Sequence, residues 1–596
     1  MTTPSGTRRY AIALCALLLT PMLIIGCERE APAATASNLP AADAQPPAAD
    51  TSNDIAPADA DGAKRIRSDV EYLADDQLEG RETGTRGYDL AADYVAKRFA
   101  AIGLKPAGEN GGFFQTVPLL KATREADGAA LTVKRNGREI ALQLREQFLP
   151  GLNYNAAEHA LDAPAVFIGQ GVHAPDLSHD DFAGLDLTGK IAVVFPGAPA
   201  RFDHDRRAFY SSSREKMRAI AERGAIGVIT VNTPEDEADA PWARSAANWN
   251  KSGMRLRAAD GKGIATFPEL RATATVSAAT ADLIFADGPQ NAADLFAAAR
   301  DGKLKGFALP GTIALAGRTK IEPIVSRNVI AVLPGSDATL AAEHLIYSAH
   351  LDHIGIGAAV VNAEGRSDTI YNGALDNALG IAIMLEAATQ LRAEASAPSG
   401  SAPKGLAPKR SVLFVAVTAE EKGLLGAEWF ATHPTVPAAS LIANINMDMP
   451  VLLAPSKDVV PVGVEHSTLK AALDTAAQDI GIGLSPDPFP EDVVFVRSDQ
   501  YAFIRAGIPA VYLTGGMVSA DGKRQPKLAL RKFLREHYHQ PSDEATLPIA
   551  YGDASRLARL NARIGRIVGD AAQRPMWNKG DFFGEKFGNQ GHTHGK

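Results

Sequence analysis

Five short, apolar, β-branched runs in the second half of the chain constrain its fold more than any other feature. They are SRNVIAVLPG at 326–335, HLIYSAH at 344–350, SVLFVAVTAEE at 411–421, LIANINMD at 441–448 and PAVYLT at 509–514. Helix-spaced patterns lie among and after them, notably Ala378 to Leu391 and Tyr551 to Val568. Apolar strands alternating with helices predict an α/β fold whose mixed, largely parallel sheet is sandwiched by helices and buried on both faces. In such sheets ligands bind beyond the carboxyl ends of the strands.

Ionisable residues stand at those ends. His350 lies in SAHLDHIG, Glu420 and Glu421 in VTAEEKG, and Asp448 in NINMDMP. Asp376, in NGALDNALG, sits just before an apolar helix, and His539 lies in HYHQPSDE. Two histidines and three carboxylates, with a fourth carboxylate beside one of them, are the donor set that a pair of zinc ions needs, since a carboxylate can bridge two metals. Asp448 has flanking methionines and no obvious buried cation, so a ligand role explains its position. Asp376 has a second reading as the N-cap of the helix opening at Ala378, a role that Asn377 can take instead.

The order of these residues and the words around them resemble the M28 family of metallopeptidases. ADDQLEGRETGTRG, at 74–87, resembles the opening of that family's catalytic domain; its glycines also suit an ordinary surface loop between two helices. The resemblance implies a zinc-exopeptidase, phosphorylase/hydrolase-like fold, two zinc ions per chain and peptide substrates. It implies that His350 and Asp448 bind one zinc, that Glu421 and His539 bind the other, that Asp376 bridges both, and that Glu420 is the general base. The phrase His-Gln-Pro-Ser-Asp favours His539 over His537. Asp352 is expected to accept the other imidazole proton of His350, and Asp543 to do related work near His539. Asp499, in RSDQYAFIRAGIPA, matches a family word near the site. Tyr501 is a candidate oxyanion donor, although its helical spacing with Ile504 reads more simply as core packing. Among the family's activities an aminopeptidase is favoured. The alternatives are a glutaminyl cyclase, a carboxyl-end or dipeptide peptidase, and a non-catalytic receptor-like module of the kind found in transferrin-receptor relatives.

Between the two parts of this domain lies a segment of different character. A short apolar run at 165–171, the strand pattern in DFAGLDLTGKIAVVFPG, an amphipathic helix from Ser212 to Arg223 containing Lys216, and the strand pattern GAIGVITVN follow one another. They resemble the protease-associated (PA) domain, a β-rich module inserted into M28 chains. The expected division is 62–150 for the first catalytic part, 151–312 for the insert, 313–573 for the second catalytic part and 574–596 for a flexible tail. His592 and His594 in that tail read as solvated. APSGSAPKGLAPK, at 397–409, reads as a long surface loop.

The N-terminus reads as a targeting segment. Arg8 and Arg9 precede an apolar stretch that ends in Ile24-Ile25-Gly26-Cys27, too short and wrongly flanked for a membrane span. It resembles a bacterial lipobox, which implies cleavage within 1–27, lipidation of Cys27 and a membrane partner through that anchor. Residues 28–61, rich in Ala, Pro, Asp and Ser, predict a disordered tether. The expected location is the periplasm or the outer membrane. Cys15 and Cys27 are the only cysteines, so the processed chain has no cysteine nucleophile, thiolate ligand or disulfide. A net charge of -8 without clustered Lys and Arg excludes nucleic acid as a partner.

Overall fold

A computed structural model describes residues 59–361, 365–396, 407–490 and 493–588. Cys27, the tether up to residue 58, most of the 397–409 loop, and His592 and His594 lie outside the described residues.

The catalytic sheet is built around four parallel strands. Ser411–Val417, His344–His350, Leu441–Asn446 and Ala510–Gly515 lie side by side in that order. Antiparallel strands extend it, Thr312–Leu333 beyond Ser411–Val417 and Asp458–Val462 beyond Ala510–Gly515. The sheet is therefore mixed, with a parallel centre. Leu345, Tyr347 and Ala349 point to a layer formed by helices Ala60–Leu73, Arg86–Ile102, Leu379–Ser396 and Tyr551–Asp570. Ile346 points the other way, onto Leu425–Thr432 and Gln500–Arg505. Side chains alternate between faces along a strand. With both faces covered, both sets must be apolar, which is why HLIYSAH reads as a continuous apolar run. Leu379–Ser396 carries this further and is buried over most of its first three turns, as expected of a helix apolar all round.

Two 22-residue strands, Phe114–Arg135 and Thr312–Leu333, join the catalytic part to the insert. They pair antiparallel from Val329↔Phe114 to Thr312↔Lys134, with one bulge between Ala316 and Arg318. At about 3.3 Å per residue the ladder spans roughly 60 Å, so one hydrogen-bonded ribbon, interrupted at that irregularity, leaves the catalytic sheet and ends under the insert. Phe148–Pro150, Ala272–Val276, Gly227–Val231, Ile191–Val194, Ala165–Phe167 and Phe307–Ala308 form the insert's own sheet. Its four central strands are parallel. Helix Ser213–Ala221 lies against one face, and Ala281–Phe285 with Ala292–Arg300 against the other. The insert thus has helices on both sides of its sheet.

The expectation of a flexible tail from residue 574 is corrected over its first half. Trp577 donates its indole N–H to Gly507 O at 2.9 Å, and helix Phe582–Phe587 is capped by Asp581. Phe583 and Phe587 are buried among Phe209, Phe495 and Tyr501. The aromatics scattered in a Gly-rich sequence are the signal of this docking: they have an apolar slot to fill. Among the described residues no helix is long and apolar enough to cross a membrane.

Candidate metal centre

The carboxyl ends of the parallel strands bring the dispersed acids and imidazoles together. His350 closes its strand, Glu420 and Glu421 follow Ser411–Val417, and Asp448 follows Leu441–Asn446. His350 Nε2 stands 2.9 Å from Asp448 Oδ1 and 3.2 Å from Asp376 Oδ1. His539 Nε2 stands 3.3 Å from Asp376 Oδ2 and 3.2 Å from Glu421 Oε2. The two oxygens of Asp376 thus face two different imidazoles, and two donor sets share one carboxylate.

The loop that carries Asp376 is held from several sides. Gly373 has φ 61°, and a Cβ there would lie 2.1 Å from Asp376 O and 2.6 Å from the His353 ring, so only glycine fits. Asn377 accepts from Gly380 N–H at 3.1 Å and so serves the start of the helix, leaving the Asp376 carboxylate to the site. Asp543 accepts from the backbone N–H groups of Leu375 and Asp376, at 2.9 and 3.0 Å. Its expected service to His539 is thereby corrected: the carboxylate orients Asp376 instead.

Asp352 is corrected in the same way. His350 Nδ1 meets the Asp352 main-chain oxygen at 3.1 Å, not the carboxylate. The chain turns after the strand, so the carbonyl faces back to the ring while the side chain reaches sideways. That carboxylate accepts from Thr83 Oγ1 at 3.1 Å and from the backbone N–H groups of Glu420 and Glu421, at 3.1 and 3.3 Å. It fixes the strand exit on which both glutamates sit.

Arg81, within the 74–87 block, lies beneath the centre and was not singled out in the sequence. It is 1% exposed. Its guanidinium donates to Leu351 O at 2.9 Å, Asn372 O at 2.6 Å, Gly373 O at 3.0 Å, and also to Leu73 O. One side chain therefore ties the loop after His350 to the loop before Asp376. Burial lowers its pKa to about 10, against the pull of Asp543, Asp376 and nearby acids.

The electrostatics are those of acids crowded out of water. Burial first, then Asp448, Glu421 and Asp499, hold Glu420 well above the usual carboxylate range, with His350 opposing. Burial would raise Glu421 too, but His539 and His353 hold it well below. Burial opposes protonation of His539, yet Glu421 and Asp376 raise it to about 10. Asp499 is fully buried, and neither carboxylate oxygen makes a hydrogen bond. Burial pushes it well above its usual range, with Asp448 and Asp352 adding to that. Carboxylates gathered this densely in a buried place need compensating cations. The imidazole and carboxylate donors present suit zinc.

The centre opens into a cleft of about 1230 Å3, whose lining includes Glu420, Glu421 and Tyr501 from the catalytic part and Tyr154, Lys251 and Arg255 from the insert. Tyr501 packs edge-on to Phe583 and Phe587 with ring centroids 6.5 and 6.4 Å away. Beyond burial, its hydroxyl feels Arg505 and Glu215 rather than the acids of the centre. A different phenol faces those acids. Tyr538 stacks on His539 at 3.8 Å, and burial followed by Asp376, Glu421, Glu420 and Asp448 pushes its pKa well above the usual value. Its place next to His539 in the chain was the available signal.

Residues 328–564 match Peptidase family M28, and residues 152–262 match the PA domain. Among solved structures, the chain is similar to an aminopeptidase from Aneurinibacillus sp. strain AM-1, at 18% identity and a TM-score of 0.48, over 84% of this chain and 92% of that one. It is similar to BSAP, a zinc aminopeptidase from Bacillus subtilis, at 19% identity and a TM-score of 0.43, over 84% and 94%. It is also similar to a Peptidase M28 precursor from Shewanella amazonensis SB2B, at 17% identity and a TM-score of 0.41, over 86% and 97%. No curated protein matches the chain.

Proposed function

The chain is a family M28 peptidase carrying an inserted PA domain, and on that premise we propose that it is a di-zinc exopeptidase that releases N-terminal residues from peptides. The observation that carries this reading is the pair of donor sets joined through Asp376, with Glu420 beside them. His350 and Asp448 would hold one zinc, His539 and Glu421 the other, and Asp376 both. The bound ions would supply Lewis acidity and a hydroxide at neutral pH.

The remaining work belongs to the chain's own side chains. Glu420 accepts the proton of the attacking water and returns it to the leaving amine. Asp352 holds the backbone of Glu420 and Glu421, so that one carboxylate serves the metal and its neighbour the water. Tyr538, stacked on His539, is the candidate to donate to the carbonyl oxygen as negative charge develops there. The cleft wall contributed by the insert screens the bond from water and receives the rest of the peptide.

The test is metal analysis of the purified chain with release of amino acids from aminoacyl-amide substrates. Two zinc ions per chain and chelator-sensitive release are expected. A metal-free, inactive protein overturns the reading. A second reading, removal of carboxyl-end residues, has its own support. Lys251, whose ammonium lies 4.7 Å from the Tyr371 ring, lines the same cleft as Glu420 and Glu421 and offers a cation to a substrate carboxylate. A peptide-library digest read by mass spectrometry separates the two by the end that is trimmed. From the lipobox-like stretch ending at Cys27 we further propose that the enzyme lies outside the cytoplasm on a lipid anchor; fatty-acid labelling that survives Cys27→Ser would refute that.

A further inference from the structure

The five-donor scheme leaves out one imidazole. His353 is fully buried, and neither of its ring nitrogens makes a hydrogen bond. Its Nδ1 stands 2.8 Å from Glu421 Oε1 and 3.8 Å from Asp376 Oδ2. Glu421 Oε1 is also buried without a hydrogen bond. The in-plane N–H direction of His353 Nδ1 does not line up with that oxygen, so the pair is poorly aligned for a hydrogen bond. They have the spacing of two donors around one cation, because bonds of about 2.0–2.2 Å put neighbouring ligand atoms roughly 3 Å apart. His539 completes the arrangement from the other side. Its ring lies 5.7 Å from that of His353, nearly perpendicular, and its Nε2 meets the same two carboxylates. The position of His353 is also built in, since its ring occupies the space against Gly373 that any Cβ would take.

We propose that His353 binds, through Nδ1, the metal held by Glu421 and His539. That site then has four protein donors, His353, His539, Glu421 and Asp376, whereas the other has three, His350, Asp448 and Asp376. The inference rests on the di-metal reading above and adds an asymmetry to it. The four-donor site fills first and holds its ion against chelators. The three-donor site keeps more open positions, empties first, and is the better place for a substrate atom to enter. His353 binds as the neutral imidazole, with its proton on Nε2.

The experiment compares the full chain with His353→Phe, His353→Asn and His539→Phe. Each protein is stripped of metal, checked for retained melting behaviour, and titrated with zinc against a chromophoric chelator. Each is then titrated with cobalt(II) and followed by visible absorption. The wild type is expected to bind two ions of unequal affinity. Both His353 variants should weaken the tighter site at least 100-fold, leave the weaker one unchanged, and alter the absorption of the first cobalt equivalent. If the wild type binds fewer than two ions, the di-metal reading falls and this inference with it. If the wild type binds two and His539→Phe loses one, while the His353 variants keep wild-type affinities and cobalt spectrum, only the inference falls. A weakening without any change in the cobalt spectrum also overturns it, because that marks a residue that positions Glu421 rather than one that touches metal.

Discussion

Two adjacent glutamates at one strand end take different roles because their side chains leave the backbone in different directions. Glu421 turns toward His353 and His539, whereas Glu420 feels His350 and Asp448. Removing the charge of Glu420 while keeping its shape isolates the proton-transfer role. Glu420→Gln should lower kcat by about 10²- to 10⁴-fold, with two metals per chain retained in elemental analysis. Near-normal turnover would remove Glu420 from the mechanism. At this scale the residues that converge were legible because each sits in a short word at a strand exit or helix start. What stayed hidden was direction. Asp352 and Asp543 both lie near the centre, but a sequence does not tell which backbone N–H a carboxylate will find, and both turned to peptide groups rather than imidazoles. His353 was hidden by its neighbour, since the first histidine of HLDH already accounts for a ligand.

Secondary-structure elements were legible where the pattern was long or continuous. The parallel strands and the helices Leu379–Ser396 and Tyr551–Asp570 fall where apolar spacing puts them. The ribbon formed by Phe114–Arg135 and Thr312–Leu333 was legible only at its SRNVIAVLPG end, because the rest runs to an unusual strand length and its partners lie nearly 200 residues apart in sequence. The 74–87 block also exceeds its reading as a surface loop. Its Arg81 joins elements that share no hydrogen-bond ladder, by supplying donors to the carbonyls of Leu351, Asn372 and Gly373. Lysine keeps the charge but loses the planar fork. Arg81→Lys should therefore destabilise the protein by about 3–5 kcal/mol, the cost of breaking a buried charged network, and should weaken zinc binding as the two loops move apart. Thermal melting with and without zinc measures both effects. A melting temperature unchanged from wild type would show that the four carbonyl contacts are dispensable.

At the scale of the whole molecule, three distant parts of the chain meet at His466. Its Nδ1 lies 2.6 Å from Asp581, the cap of the last helix, and its Nε2 3.6 Å from Asp205, on the insert's helix His204–Ser211. Glu465 is a further acid at 3.9 Å, and the ring stacks on Phe495 at 4.5 Å. Burial works against protonation of His466, but Asp581, Asp205 and Glu465 prevail and raise its pKa above the ordinary 6.5. Burial raises Asp205 as well, with His466 opposing. The sign follows from linkage: a histidine with a raised folded-state pKa gives stability that is fully present below about pH 6.5 and is lost as pH rises through the raised value. Toward strongly acid pH the junction weakens again as its carboxylates are protonated. His466→Gln removes the charge and leaves a hydrogen-bonding side chain. Charge-assisted hydrogen bonds of this kind contribute about 1.5–3 kcal/mol, so the variant should lose protection of the 575–588 segment against hydrogen–deuterium exchange near pH 6. Well above the raised pKa, wild type and variant should exchange this segment alike, because the wild-type ring is then neutral too. Comparing the two proteins at each pH cancels the intrinsic pH dependence of exchange. A difference that stays constant from pH 6 to pH 10 would mean that His466 holds the junction by packing on Phe495 and Phe583, and that its charge does not tie the insert to the end of the chain.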